Sequence, residues 1–362
     1  MIVAALLLAG CIPNQEVPQR EYSPPPPPPE QENYRQSLDA QPSYPERTYP
    51  EPRPVDRKVS ALPAARPVWE AKPVSPDATL VSPSIYTVKP GETLRSLANR
   101  TGAGSEAIAR ANGIEAPFTV RTGQRLKIPG GRYHLVLAGQ SGIAIARAYG
   151  VEWSKIVAAN ELQEPYVLRV GQRVLIPTTG APRTAAERAA AFSLDIDDIL
   201  TGGEPALVAT AKPAKPIATP SRILPPTAQV AAPPRLTGGF GWPVEGRVVK
   251  RFGPGASGER NDGIKIAVPV GTPILATADG VVAYVGTGVA ALGGLVIVKH
   301  GNGYTSVYGH ASQLLVQRGQ AVRRGQTIAL SGDSGFADRP ELHFEIRKGR
   351  TPVDPLVQLP GR

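Results

Sequence analysis

Three side chains near the C-terminal end of the chain are of types that bind metal ions in proteins: His310, Glu341 and His343. Glu341 and His343 are two positions apart in an apolar segment typical of a strand, so both point to one face of the predicted sheet. A catalytic zinc ion needs three such ligands and a fourth position for water. The sequence therefore leaves open a zinc site built from these three residues.

The residues around these side chains predict a compact antiparallel sheet. Between Trp242 and Leu359, short apolar and β-branched runs alternate with turns that contain glycine. The clearest runs are Val281–Val285, Leu295–Val298 and Thr305–Tyr308. We expect residues 240–362 to form a mostly antiparallel all-β domain.

Several motifs of this domain occur in a characteristic order: Asn261-x-Gly263-Ile264, Gly271-Thr272-Pro273-Ile274, Tyr308-x-His310 and Leu342-His343-Phe344-Glu345. In this order they resemble the lysostaphin/LytM-type zinc endopeptidases. More narrowly, they are similar to the NlpD/EnvC group of murein hydrolase activators. The resemblance extends over nearly all of the last 120 or so residues.

This resemblance implies a groove formed by Asn261, Lys265, His310, Glu341 and His343. In active members of the family, a His, an Asp four residues later and the second His of a His-x-His pair hold zinc. Here Asn261 and Lys265 replace the first two ligands. At about 4 Å and an effective dielectric constant of 20, a cation in place of the carboxylate would repel a dication by about 8 kcal/mol. We expect no catalytic residues, no metal and no cofactor, and we expect Lys265 and Glu341 to form an ion pair in the groove.

Three functions are compatible with such a groove. The resemblance implies a non-enzymatic activator that binds a periplasmic N-acetylmuramoyl-L-alanine amidase and promotes septal peptidoglycan splitting during cell division. The alternatives are an active zinc endopeptidase that cleaves peptidoglycan cross-bridges and a structural lipoprotein that tethers the outer membrane to the wall.

Two similar segments precede this domain, at residues 86–129 and 133–177, and they align with one extra residue in the second. Each predicts a small α+β unit of βααβ order, within domains that we place at 85–130 and 132–178. The units resemble LysM modules, which bind glycans that contain N-acetylglucosamine, such as peptidoglycan. In the first copy the resemblance implicates two loops, which contain Gly91, Glu92, Thr93, Asn112, Gly113 and Ile114. In the second copy Gly142 replaces the helix residue Leu94, and because glycine inside a helix costs about 1 kcal/mol, we expect weaker glycan binding there.

The N-terminal part predicts export and a spacer. Residues 1–11 form an apolar stretch that ends in Leu8-Ala9-Gly10-Cys11, which resembles a lipoprotein signal peptide with Cys11 as the lipidated residue. This resemblance implies an anchor in the outer membrane, facing the periplasm. Residues 12–84 are rich in proline, so we expect a disordered linker.

A second linker is predicted at residues 179–236, where Ala, Pro and Thr dominate. Within it, a capping-box pattern at Thr184–Glu187 starts a helix near 185–200. Phe192, Ile196, Ile199 and Leu200 form one apolar stripe on this helix, and an isolated helix of this length needs a partner. We hypothesise that the helix docks in or near the groove and restrains it.

The charge balance does not indicate a nucleic-acid-binding protein. The formal net charge is +10, but the basic residues are spread over linkers and small modules and form no basic helix. Attraction to anionic cell-wall or membrane surfaces is the simpler interpretation.

Overall fold

The computed structural model describes residues 67–177, 184–208, 212–218, 224–255 and 258–361. These residues belong to one compact unit that extends from Pro52 to Arg362. The predicted signal peptide, Cys11 and residues 12–66 of the proline-rich segment lie outside the described residues. Within the described ranges, no helix has both the length and the apolar character that a membrane span requires.

The first repeat has the predicted βααβ order: β2 (Ser84–Thr87), α2 (Leu94–Thr101), α3 (Ser105–Ala111) and β3 (Arg125–Ile128). The strands β2 and β3 pair antiparallel. Helix α2 begins where the Thr93 side chain accepts a hydrogen bond from the Ser96 amide, and it ends at Gly102 in a left-handed conformation. Leu97 and Ile108 pack against the strands in the core of this repeat.

The second repeat has the same order: β4 (Gly131–Leu135), α4 (Gly142–Tyr149), α5 (Trp153–Asn160) and β5 (Arg173–Leu175). Strand β1 (Thr79–Val81) adds to the free edge of β4. Ser141 caps α4 through its side chain. Trp153 and Ile156 are fully buried in the core of this repeat.

The C-terminal domain is a large antiparallel sheet, as predicted. The strands of the domain are β6 (Arg247–Lys250), β7 (Gly253–Pro254), β8 (Arg260–Asn261), β9 (Ile264–Ala267), β10 (Pro273–Leu275), β11 (Gly280–Gly286), β12 (Gly294–Lys299), β13 (Tyr304–Leu314), β14 (Ala321–Val322), β15 (Thr327–Ser331), β16 (Glu341–Lys348) and β17 (Thr351–Val353). In the large sheet the central strands have the order β14-β11-β12-β13-β16-β9-β6, and β7 and β8 pair with each other in a separate small sheet. A short helix, α8 (Pro355–Gln358), follows β17.

The two faces of this sheet have different environments. Leu342, Phe344 and Ile346 of β16 enter the main core of the domain. Glu341, His343, Glu345 and Arg347 alternate with them and therefore lie on the opposite face. An apolar layer covers part of that opposite face, with residues from the second repeat and from the segments before and after the repeats.

Part of each segment that we expected to be linker is folded. Helix α1 (Val68–Ala71) lies in the proline-rich segment, and its buried Trp69 stacks on Tyr284 with ring centroids 5.5 Å apart. Together with strands β1 and β2, this corrects the expectation of disorder for residues 67–84. The overall composition is polar and rich in proline, but a few apolar side chains have a surface to pack on, and this packing offsets the entropy of ordering the chain.

The helix predicted near 185–200 is two short helices, α6 (Ala185–Ala190) and α7 (Ile196–Gly202). The predicted capping box at Thr184 is present. A second capping box, between Asp195 and Asp198, starts α7 and so interrupts the helix. Phe192 lies in the break, where it packs against the core of the second repeat.

Candidate functional site

Lys265 and Glu341 form the ion pair that the sequence predicted. Strands β9 and β16 pair antiparallel with Lys265 opposite His343, so Lys265 lies diagonally across from Glu341 on the same face of the sheet. The Lys265 Nζ atom lies 2.6 Å from Glu341 Oε1. The Glu341 side chain is 1% exposed and that of Lys265 is 15% exposed. Water therefore screens this pair far less than a pair on the protein surface.

His310 lies beside this ion pair, with its Nε2 atom 3.9 Å from Glu341 Oε1. Its Nδ1 atom is 2.8 Å from the Ser334 carbonyl oxygen, so Nδ1–H donates to that carbonyl and Nε2 is free of the proton in the neutral ring. Burial lowers the pKa of His310, which favours the neutral form. The backbone of His310 is left-handed, with φ of 64°, a strained geometry that is common at functional sites.

His343 is connected to a chain of charged side chains that sequence reasoning did not assign to the site. Its Nε2 atom lies 2.9 Å from Glu345 Oε1, and Arg347 donates to the other Glu345 oxygen at 2.7 Å. Arg347 also donates to the carboxylate of Asp197 on α7. The alternation of β16 places Glu345 and Arg347 on the face of His343, but nothing in the sequence indicates Asp197 as their partner.

Asn261 makes its side-chain hydrogen bonds with the backbone. Its side-chain amide donates to the backbone carbonyls of Arg251 and Gly263, at 2.8 and 2.7 Å. It therefore links the two ends of the segment between β6 and β9. The other four predicted groove residues contact one another, because Lys265 and His310 both lie beside Glu341 and the rings of His310 and His343 are 6.0 Å apart.

The residues of the groove do not fit a catalytic zinc ion. Over the described ranges, no three His, Cys, Asp or Glu side chains are grouped so that they could hold a metal. The Lys265 ammonium is bonded to the Glu341 carboxylate, and Nε2 of His343 faces Glu345. A dication would have to displace the ammonium before it could use Glu341 as a ligand.

Helix α7 also carries Asp198, which is 5% exposed. Burial, reinforced by the negative charges of Asp195, Asp197 and Glu152, raises the pKa of Asp198 from 3.8 to about 7. The folded state therefore binds the Asp198 proton between about pH 4 and 7, whereas the unfolded chain releases it. Stability falls as the pH rises through this window.

Between pH 6 and pH 8 the wild type should lose about 1 kcal/mol of unfolding free energy from Asp198 alone. In Asp198→Asn this loss should disappear, because the amide keeps its hydrogen-bonding capacity and does not titrate. Urea denaturation at the two pH values measures the difference. Equal pH dependence in both proteins would contradict the assignment.

In the first repeat, the polar residues that we predicted to bind glycan stabilise the two loops. The Glu92 carboxylate accepts from the Tyr86 hydroxyl and the Lys89 amide, at 2.9 and 2.8 Å. Asn112 donates to two carbonyls and accepts from the Lys127 amide. Thr93 caps α2. The side chains of Glu92, Thr93 and Asn112 are therefore used to stabilise the loops. A ligand would contact the backbone groups of these loops together with Gly91, Gly113 and Ile114.

The second repeat has the same length as the first, which corrects the expected alignment with one extra residue. His134 Nε2 lies 3.0 Å from Gln140 Oε1, which matches the contact between Tyr86 and Glu92. His134 therefore corresponds to Tyr86, the offset is 48 residues throughout, and no extra residue is present in the second copy.

Gly142, which we placed inside a helix, is the first residue of α4. A Cβ atom there would lie 2.6 Å from the Trp153 ring, and one at Gly202 of α7 would lie 2.8 Å from it. The Trp153 Nε1–H group also donates to the Thr201 hydroxyl at 3.0 Å. The glycine therefore allows Trp153 to pack between α4 and α7, so its presence does not indicate an unstable helix.

Comparisons with known proteins agree with this architecture. Residues 86–129 and 134–177 match the LysM domain, and residues 259–355 match peptidase family M23. The "Lipoprotein NlpD/LppB homolog" of Pseudomonas aeruginosa is 36% identical over 85% of this chain and 84% of its own length. The "Murein hydrolase activator NlpD" of Escherichia coli is 34% identical over 78% of this chain and 69% of its own. The catalytic domain of lysostaphin from Staphylococcus simulans is 26% identical, over 32% of this chain and 90% of that domain, with a TM-score of 0.28.

The chain has two LysM domains followed by an M23-type domain. NlpD proteins are 31–36% identical to it over most of its length, and one of them is named a lipoprotein, which indicates a cell-envelope protein. The chain belongs to the NlpD family of lipoproteins, whose members include proteins named murein hydrolase activators.

Proposed function

We propose that this protein binds peptidoglycan through its LysM repeats and activates a cell-wall N-acetylmuramoyl-L-alanine amidase through its C-terminal domain, without catalysis of its own. The observation that carries the proposal is the Lys265 ammonium on the Glu341 carboxylate in the groove. Lys265 places a cation at the position where active members of the family have a carboxylate ligand to zinc, and the Glu341 carboxylate is bound to this cation. The names of the NlpD relatives supply the class of partner.

The cellular setting belongs to the same proposal. Lipidation of Cys11 would anchor the chain in the outer membrane, and the LysM repeats would hold it on septal peptidoglycan while the amidase separates the daughter walls. Cys11 lies outside the described residues, so the relatives named as lipoproteins are the support for this anchor.

The amidase would bind at the groove rim, where the loop between β15 and β16 covers the polar cluster. Ser334 of this loop accepts from His310, and Asp338 lies 3.5 Å from Lys265. Between them, Phe336 is 74% exposed. An exposed aromatic side chain at the rim of a groove is typical of the residues that dominate binding energy at protein interfaces.

Phe336→Ala should lower the apparent affinity for the amidase about fivefold or more, because truncation of such an anchor commonly costs over 1 kcal/mol. Val357→Ala is the matched control, since Val357 is 76% exposed on α8. Titration of each variant into an amidase assay on labelled peptidoglycan measures the effect. If both variants activate like the wild type, the rim is not the docking surface.

We propose further that α7 restrains the groove. Asp197 of this helix holds Arg347, which in turn holds Glu345 and so His343. Ile199 of α7 is 6% exposed and belongs to the apolar layer on the same face of the sheet. Release of the helix would free both the charged side chains and the apolar surface for a partner.

Ile199→Asp should undock α7, because a carboxylate cannot be buried in that layer without a counter-charge. Amidase activation at sub-saturating concentration should then rise several-fold. Ala190→Asp adds the same charge at an exposed position of α6 and should have no effect. With circular dichroism confirming that both variants fold, unchanged activation in Ile199→Asp would show that α7 has only a structural role.

A further inference from the structure

The two LysM repeats differ in how accessible one pair of equivalent loops is. In the first repeat Thr93 is exposed and Glu92 is half-buried. In the second repeat the equivalent residues, Ser141 and Gln140, are 1% and 3% exposed. Since the two repeats share one fold, another part of the chain must cover this loop in the second repeat.

The segment that covers it is Glu204–Leu207, which directly follows α7. The Ala206 amide donates to the Gln140 carbonyl at 2.7 Å, and the Leu207 amide donates to the Leu168 carbonyl at 2.7 Å. The Val170 amide donates back to the Leu207 carbonyl at 2.9 Å. The segment thus lies between the loop after β4 and the loop before β5, and it pairs with both like a short added strand.

Contacts at the ends of the segment hold it in place. Ala206 is 5% exposed and belongs to the core of the second repeat. The Pro205 carbonyl accepts from Gln229 at 2.8 Å. Glu204 accepts from Arg318 at 2.8 Å and lies 3.4 Å from the Lys299 ammonium.

In the first repeat, no segment of the described chain covers the equivalent backbone groups. The counterparts of Gln140, Leu168 and Val170 are Glu92, Val120 and Thr122, at the constant offset of 48 residues. Thr122 is exposed and Val120 is half-buried, and within the described residues no segment pairs with the backbone there.

We infer that the groove of the second LysM repeat binds Glu204–Leu207 of this same chain, and that the segment and a glycan compete for the groove. This inference rests on the proposed binding of peptidoglycan by the LysM repeats. The first repeat binds glycan in the resting protein, and the second does so only after the segment leaves. Because the segment continues directly from α7, entry of a glycan strand into the second repeat detaches the chain next to the helix that restrains the groove.

A binding titration tests the competition. The pentamer of N-acetylglucosamine is titrated calorimetrically into the whole chain, and the wild type should show one site per molecule. Leu207→Pro removes the amide that donates to Leu168, so it should show two. Val208→Pro is the matched control, because the Val208 amide makes no backbone hydrogen bond within the described residues. Proline at 208 also favours an extended Leu207, which fits the β-bridge of Leu207 with Arg169. This control should keep one site.

Two sites in the wild type, or one site in Leu207→Pro, would overturn the competition while glycan binding by the repeats stands. Binding in none of the proteins would reject both the competition and the peptidoglycan part of the proposed function. Hydrogen exchange of the unliganded wild type provides a test that needs no variant. The Ala206 and Leu207 amides should exchange slowly, and fast exchange would show that the segment is not docked.

Discussion

Replacing Lys265 with alanine should destabilise the protein by about 3–5 kcal/mol, because the variant leaves the Glu341 carboxylate buried without its cation. Truncation removes the only ammonium within 4 Å of that carboxylate among the described residues. Urea denaturation followed by circular dichroism measures the change in unfolding free energy.

A second ion pair of the same type in this domain provides the control. Lys250 and Glu259 lie 3.1 Å apart, but their side chains are 37% and 45% exposed. Lys250→Ala should therefore cost less than about 1 kcal/mol. The double variant Lys265→Ala/Glu341→Gln should recover part of the loss, because a neutral amide costs less to bury than a carboxylate. If Lys265→Ala lowers the unfolding free energy no more than Lys250→Ala does, the pair of Lys265 and Glu341 is not shielded from water.

Arg347→Ala should have a similarly large effect, about 3–5 kcal/mol, since Arg347 is the guanidinium that joins Glu345 to Asp197. The Arg347 side chain is 4% exposed and Glu345 is 3% exposed, so the variant leaves the Glu345 carboxylate buried without its cation. The same variant should loosen α7, which limited proteolysis or hydrogen exchange of residues 196–202 would detect.

Arg339→Ala serves as the comparison, because Arg339 is an exposed arginine close to the start of β16 and should contribute within about 0.5 kcal/mol. The double variant Glu345→Ala/Arg347→Ala should cost clearly less than the sum of its single variants, since the partners interact directly. Additive losses would mean that the two side chains are energetically independent.

The sequence predicted the ion pair of the groove because the family resemblance places Lys265 and Glu341 at one former zinc site. The strand pattern with period two added that Glu341 and His343 share a face. The hydrogen bonds of Asn261 to the Arg251 and Gly263 carbonyls were not predicted, since they depend on the local turn geometry. The contact between Arg347 and Asp197 joins residues 150 positions apart, and no local pattern encodes such a pairing.

The βααβ order of both repeats was predicted from helix caps and apolar spacing, and the structure confirms it. The packing of α1, α6 and α7 could not be predicted in the same way. Helices this short are unstable alone, so their existence depends on a surface formed by distant parts of the chain. Trp69 on Tyr284 and Trp153 between Gly142 and Gly202 are contacts of that kind.

The most direct test of the account measures peptidoglycan hydrolysis and metal content with one protein preparation. The purified whole chain is incubated with dye-labelled sacculi, alone and together with a purified N-acetylmuramoyl-L-alanine amidase, and its zinc content is determined by mass spectrometry. We predict no stoichiometric zinc, no dye release by the chain alone, and a marked increase in dye release by the amidase when the chain is present. Stoichiometric zinc together with dye release by the chain alone would contradict the account.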